Sequence, residues 1–154
     1  MAAFFVGSRS MIDPDADAPA GLIRRLAAII YDLLLLVGLW MVATGALLPF
    51  THGRAVPAGD LLFRLYLTLI AFGFFGLFWT RAGQTLGMKA WRLRLQQPDG
   101  RPVTWRQASI RFVVAGLSAA AAGLGFLWQL IDAQGRSWHD IASGTVVVRT
   151  ARRR

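Results

Sequence analysis

The sequence predicts an all-α integral membrane protein with a small β element at its cytoplasmic surface. Two observations carry this prediction: 55% of the 154 residues are hydrophobic and only 16% are charged, and the apolar residues fall into three long stretches. Soluble domains carry about 25% charged residues, so too little polar surface remains here to coat a globule. A chain of this length accommodates one domain.

The first two apolar stretches are long enough to cross a bilayer as helices. Residues 26–48 are apolar except for Asp32, and residues 61–79 contain one charge, Arg64, near their start. At about 1.5 Å per residue each matches a hydrocarbon core of about 30 Å, and Arg64 can extend its long side chain to the headgroups. Residues 49–60 contain Pro and Gly that break helices, so we expect two adjacent, antiparallel helices.

The third apolar stretch, residues 112–131, is uncharged and rich in Ala and Gly. Small residues let helix backbones approach closely inside a bilayer. Its helix is predicted to begin earlier, because Thr104 and Gln107 have the spacing of a capping box. Gly123 and Gly125 leave two alternatives open: the stretch crosses the membrane as a third transmembrane segment, or it bends into a re-entrant hairpin.

The positions of Lys and Arg predict the topology. The loop formed by residues 81–111 contains seven of them, so the positive-inside rule places it in the cytoplasm. These residues are Arg81, Lys89, Arg92, Arg94, Arg101, Arg106 and Arg111. A straight third span would put the five arginines of the C-terminal region outside, so either this stretch re-enters or the tail is exported against the rule.

The net charge of +9 fits either nucleic acid or an anionic membrane surface. Because the arginines flank apolar runs and do not line one polar helix face, we expect contact with anionic lipid headgroups and no nucleic acid. Residues 1–20, whose short apolar patch precedes Arg9, lack the order of a signal peptide. They are predicted to form a flexible tail, and residues 151–154 a basic one.

Short alternating segments predict the β element. Trp91, Leu93 and Leu95 alternate with polar residues, which is the period of a strand with one apolar face. A turn follows at residues 98–100, after which residues 103–105 can return. Residues 145–149 are also β-prone, and we expect them to pack beside residues 91–96, with the tail on the cytoplasmic side.

Two segments of the chain show a weak internal similarity. Residues 83–86 read Gly-Gln-Thr-Leu and residues 135–138 read Gly-Arg-Ser-Trp. Each is predicted to lead into a short helix and then a strand.

The sequence lacks the motifs of common enzymes. It contains no cysteine, which excludes disulfides and thiolate metal sites, and two histidines, which are too few to favour zinc. We expect no metal and no cofactor. The Gly123 to Gly125 segment lacks the third glycine and the acidic partner of a dinucleotide fingerprint. We therefore expect a protein that is not an enzyme.

Asp32 is the most informative single residue, because an ionisable group inside a bilayer costs at least about 2.5 to 3.5 kcal/mol to insert. Arg25 lies two helical turns earlier on the same face, so we expect its guanidinium to extend toward the Asp32 carboxylate. Two interpretations stay open. The pair holds the helices in register, or Asp32 is a protonatable or cation-binding carboxylate on a transport path.

A second polar group follows the third apolar stretch, where Asp132 precedes the sequence Ser137-Trp138-His139-Asp140. Neighbouring residues on a helix point in different directions, so His139 and Asp140 do not form a catalytic dyad by themselves. Ser137 and Asp140 are well spaced to cap a short helix.

Five motifs in order resemble the RDD family of membrane proteins, over residues 21–149. They are Arg24-Arg25-Leu26-Ala27, Asp32, Gly83-Gln84-Thr85-Leu86-Gly87-Met88-Lys89, Leu124-Gly125-Phe126-Leu127-Trp128, and His139-Asp140-Ile141-Ala142-Ser143-Gly144-Thr145-Val146-Val147. The resemblance implies a membrane domain spanning residues 21–150. It also implies that the family's arginine is Arg25, its first aspartate Asp32 and its second Asp140, with Asp132 as the competing candidate.

What this resemblance implies about function is a choice between two classes. Some members of the family are similar to sodium/proton antiporters in activity, which would make Asp32, Arg25, Asp140, Asp132 and His139 candidates for ion or proton binding. Others resemble scaffold or assembly subunits of membrane complexes. Three short spans are few for an alternating-access carrier, so we expect a multi-pass protein of the cell membrane that forms a homo-oligomer or joins a membrane protein partner.

Overall fold

A computed structural model describes residues 20–57 and 59–150, so the predicted tails lie outside the described residues except for Ala20. The elements in this part of the chain are α1 (Leu22–Gly45), α2 (Leu61–Arg81), α3 (Leu86–Ala90), β1 (Leu93–Gln96), α4 (Trp105–Ala120), α5 (Leu124–Leu127), a 3-10 turn (Trp128–Leu130), α6 (Trp138–Ser143) and β2 (Val146–Arg149).

Helices α1 and α2 are the two predicted spans, and both are long and apolar enough to cross a membrane. They pack as neighbours, with the Trp40 indole donating to the Leu67 carbonyl at 2.9 Å and the Tyr66 hydroxyl to the Ala43 carbonyl at 3.1 Å. Helix α1 begins at Leu22, earlier than the apolar run, so Arg25 belongs to the helix.

The third apolar stretch is broken. The capping box at the start of α4 is confirmed, since the Thr104 amide donates to the Gln107 side chain at 3.0 Å and the Gln107 amide donates back to the Thr104 hydroxyl at 3.3 Å. Gly123 then takes a left-handed φ of +79°, and residues 124–130 leave at 108° to α4. The chain thus has two candidate spans, or three if this bent pair counts as one.

The predicted strand pairing is confirmed. Strands β1 and β2 run antiparallel, with Leu93 opposite Arg149 and Leu95 opposite Val147. The turn at residues 98–100 is also present, but residues 103–105 do not return as a strand. The reason is the cap, because the Thr104 side chain is committed to starting α4.

Each strand is preceded by a short helix that packs against a long one. Helix α3 lies on α1 and leads into β1, and α6 lies on α4 and leads into β2. Gly83 and Gly135 both have φ of +65°, and each stands two residues before the N-cap of its short helix. The internal similarity of the sequence therefore corresponds to two similar structural units.

The hydrophobic core lies where the sheet meets the N-terminal parts of α1 and α4 and the C-terminal part of α2. Leu93 and Leu95 of β1 are 1% exposed and pack with Val147, Ala28 and Ala108. Most of the outward surface of α1 and α2 consists of exposed apolar side chains, as expected for a lipid-facing surface.

Candidate functional site

A buried carboxylate with two arginine partners lies where α1, α4 and α6 meet. Asp140, in the first turn of α6, is 1% exposed. Its Oδ2 lies 2.5 Å from Nη1 of Arg25, and its Oδ1 pairs with Nη1 of Arg111. Oδ2 also accepts from the Ser137 amide at 3.2 Å, so the same side chain helps to cap α6. We call Arg25, Arg111 and Asp140 the charge cluster.

The two arginines connect the charge cluster to the rest of the fold. Arg25 comes from the first turns of α1 and donates to the Ala20 carbonyl at 3.1 Å and the Val147 carbonyl at 3.5 Å. Arg111 comes from α4, donates to the Thr145 hydroxyl at 3.1 Å and lies 5.3 Å from the ring centre of Trp79, a cation–π distance. The cluster therefore joins α1, α4, α6 and β2.

The charge cluster carries one positive charge in excess. Burial by itself would raise the pKa of Asp140, but the guanidiniums of Arg111 and Arg25 outweigh it and hold that pKa well below its usual range. Asp140 is therefore ionised at neutral pH. Two guanidiniums face one carboxylate, and unbalanced buried charge is costly.

His139 adds no charge to this balance. Burial first, and then the positive charge of Arg111, lower its pKa to about 3. Its Nε2 lies 2.8 Å from the Ser137 hydroxyl, and the 3.8 Å separation from Asp140 is no ion pair because the ring is neutral. The Nδ1 atom is buried and has no hydrogen-bond partner among the described residues.

The predicted pair of Arg25 with Asp32 is wrong, because Arg25 pairs with Asp140. Asp32 is 3% exposed and accepts from the Thr85 hydroxyl and, at 2.8 Å, from the Gly87 amide. Within residues 20–57 and 59–150 it forms no ion pair. Each oxygen of Asp32 thus accepts a hydrogen bond from the start of α3, while Arg25 extends toward the sheet.

Asp132 lies apart from the charge cluster. Its carboxylate accepts from the backbone amide of Arg136 at 2.9 Å and from the guanidinium of the same residue at 3.2 Å. These bonds with Arg136 lower the pKa of Asp132. Of the two candidates for the second aspartate, Asp140 is thus the one that the fold brings to Arg25.

A cavity of about 490 Å³ separates α1 from α4 and α5. Most of its wall is apolar, and its polar side chains are those of Arg25, Asp32, Arg111, Gln129, Ser137 and His139. A second cavity of about 480 Å³ lies toward the loops and includes Asp99 and Arg136. Arg25 and Val147 line both cavities, so these residues stand between them.

Sequence reasoning missed three members of this site. The sequence places Arg111 among the cations of the loop formed by residues 81–111, yet it is 6% exposed. The available signal is its position immediately before an uncharged run. Thr85 lies in a recognised motif, but its bond to Asp32 required the fold. Gln129, 8% exposed, had no signal beyond being polar within an apolar stretch.

These observations define a class: a helical membrane protein with several apolar helices and a buried cluster of one aspartate and two arginines. No group of three or more His, Asp or Glu side chains that could hold a metal ion occurs in the part of the chain that the structure describes. Residues 19–144 match the model of the RDD family, and the chain belongs to this family. Searches of curated proteins and of solved structures gave no match.

Proposed function

We propose that the protein is a cation/proton transporter of the cell membrane in which Asp32 carries the proton or cation. The observation that supports this proposal is a buried carboxylate of a membrane-spanning helix that lines a cavity and has only neutral hydrogen-bond donors among the described residues. A carboxylate in such a place is neutralised by a proton or by a bound cation.

The contrast between the two aspartates favours Asp32 as the exchanging group. Asp140 is fixed in its ionised form by two guanidiniums, so it neither takes up nor releases a proton near neutral pH. Asp32 has no such partner among the described residues. In this proposal Asp140 is structural and orients Arg25, and Asp32 changes its charge during transport.

The two cavities suggest a route to Asp32. The loop-side cavity meets the larger one at Arg25 and Val147, so movement of the Arg25 side chain would connect them. We propose that the loop-side cavity opens to the cytoplasm, that Arg25 controls access from it, and that a homo-oligomer provides the remainder of the path.

Proton flux in liposomes tests the proposal. The purified protein is reconstituted with a pH-sensitive dye inside, and a gradient of Na⁺ or K⁺ is applied. We expect cation-dependent flux from the unmodified protein and none from Asp32→Asn. Asp60→Asn is the matched control, because Asp60 caps α2 by accepting from the Phe63 amide at 2.9 Å and lines neither described cavity. Full flux from Asp32→Asn would overturn the proposal.

One observation favours a second function, that of an assembly subunit. Both oxygens of Asp32 bind the first turn of α3, so the residue also attaches α3 to α1 and shapes the surface formed by α3 and β1. If no cation gradient drives flux and Asp32→Asn instead releases a co-purified membrane protein, the assembly function replaces transport.

A further inference from the structure

We propose that the larger cavity binds a single-chain amphiphile with one negative charge, such as a long-chain monocarboxylic acid. Its apolar chain lies between α1 and α4, and its head meets Arg111. Asp32 lines the same cavity, but this inference does not require a proton or cation at Asp32, since it rests on the shape of the cavity and on the charge at Arg25 and Arg111.

The cavity has the size and lining of a site for an apolar ligand. Its volume of about 490 Å³ falls within the range of about 300 to 1,000 Å³ that is usual for small-molecule sites. On α4 it is bordered by Ala115, Gly116 and Ala119, whose small side chains leave the space open. Apolar walls with a few polar groups at one place match a molecule with a long chain and a compact head.

Charge selects an anion as the head. Arg25 and Arg111 are 8% and 6% exposed and share the single carboxylate of Asp140, which is 1% exposed. The Nε atom of Arg111 is buried without a hydrogen-bond partner among the described residues. A ligand with one negative charge neutralises the charge cluster, whereas a dianionic phosphate would leave the cluster with a net negative charge.

Two further residues of the cavity lining have unused hydrogen-bonding capacity. Nδ1 of His139 and Oε1 of Gln129 are also buried without partners in the described part of the chain, and both residues line the cavity with Arg111. When the Ser137 hydroxyl donates to Nε2 of His139, Nδ1 carries a proton and donates to a carboxylate. The Gln129 amide presents its NH₂ after a half-turn.

Binding of radiolabelled palmitate to the purified full-length protein in nanodiscs tests the proposal. Hexadecanol and hexadecylamine serve as competitors with the same chain. We expect saturable palmitate binding, competition at least about tenfold weaker by the alcohol because it lacks the charged hydrogen bonds, and none by the amine. Ala115→Phe, which fills the cavity, should abolish binding, and Val113→Phe on the outer side of α4 should not.

Each other outcome overturns the inference. Equal competition by acid, alcohol and amine, unaffected by Ala115→Phe, would mean partition into the bilayer only. Absence of saturable binding, together with disulfide cross-linking of Ala119→Cys between two chains, would mean that a second copy fills the cavity. Because Asp32 forms no part of the proposed head site, Asp32→Asn should retain palmitate binding even if it loses flux, and the two proposals fail separately.

Discussion

Asp140 shares its two carboxylate oxygens between Arg25 and Arg111, so its charge matters to both arginines. Asp140→Asn keeps the size of the side chain but leaves two guanidiniums buried without a counter-charge. Removing one partner of a buried ion pair costs about 3 to 5 kcal/mol. We expect a large fall in the thermal midpoint of the protein in detergent and in its abundance in membranes.

Asp132→Asn is the matched control for Asp140→Asn, because the one ion pair of Asp132 within the described part of the chain is the local pair with Arg136. Pairs near the surface contribute little to stability, so the midpoint should hardly change. Equal losses from the two substitutions would show that the charge cluster has no special weight in the fold.

His139 should make stability depend on pH. The folded protein keeps this ring neutral down to a pKa of about 3, whereas an unfolded histidine titrates near about 6.5. Between these values the unfolded chain binds more protons, so stability falls as the pH is lowered. We expect the thermal midpoint to drop between pH 7.5 and pH 5, and His139→Gln to reduce that drop. Identical pH profiles for both proteins would contradict this prediction.

Individual residues were predicted in part. The cost of charge in a bilayer was enough to select Asp32, and the family motifs selected Arg25 and Asp140 as functional candidates. Periodicity along one helix suggested the wrong partner for Arg25, because it considers only neighbours on that helix. The true partner is 115 residues away, and Arg111 and Thr85 became visible only when the elements were brought together.

At the scale of elements, the contact between α3 and α1 depends on a glycine. A Cβ atom on Gly87 would lie 2.9 Å from the Asp32 carboxylate and closer still to the Ala28 carbonyl. Gly87→Ala should therefore separate α3 from α1 and lower the thermal midpoint. The control is Gly38→Ala within α1. Gly38 has open space around it, so this change should leave the midpoint unchanged or raise it, because alanine favours helix.

The thermal midpoints of these two variants test whether α3 must approach α1 so closely. A Gly87→Ala protein as stable as the parent would show that the close approach of α3 is not required. A loss limited to Gly87→Ala would support the view that the bonds from α3 to Asp32 need this short distance.

The elements themselves were largely predictable. Unbroken apolar runs predicted α1 and α2, the capping box predicted the start of α4, and alternation predicted the pairing of β1 with β2. The sequence leaves the break after α4 open, because a glycine pair permits a bend without requiring one. Its direction depends on packing of α5 and α6 against α4, which no local pattern records.

At the scale of the whole molecule, strand pairing restricts topology. Since β1 pairs with β2, the loop between α2 and α4 and the end of β2 must lie on one side of the membrane. The absence of cysteine allows a direct measurement with single cysteines in intact cells. We expect Gln97→Cys and Thr150→Cys to resist an impermeant reagent and Ala55→Cys to react.

Labelling of Gln97→Cys from outside would reverse the proposed orientation. Labelling of Thr150→Cys alone would contradict the pairing of β1 with β2, because it would place the two strands on opposite sides of the membrane. The shared protection of the first two sites also distinguishes a re-entrant third stretch from a complete third crossing.

The distance along the chain between Arg25 and Asp140 has a consequence for biosynthesis. Arg25 enters the membrane with the first helix, but its counter-ion is made 115 residues later, and the Val147 carbonyl that binds the Ala20 amide follows still later. We therefore expect Arg25 to stay at the headgroup level during synthesis, where its charge is tolerated. We therefore expect docking of α6 and β2 to complete the fold, and a chain truncated before Asp140 to be degraded faster than the full-length chain, because Arg25 and Arg111 then lack their counter-ion.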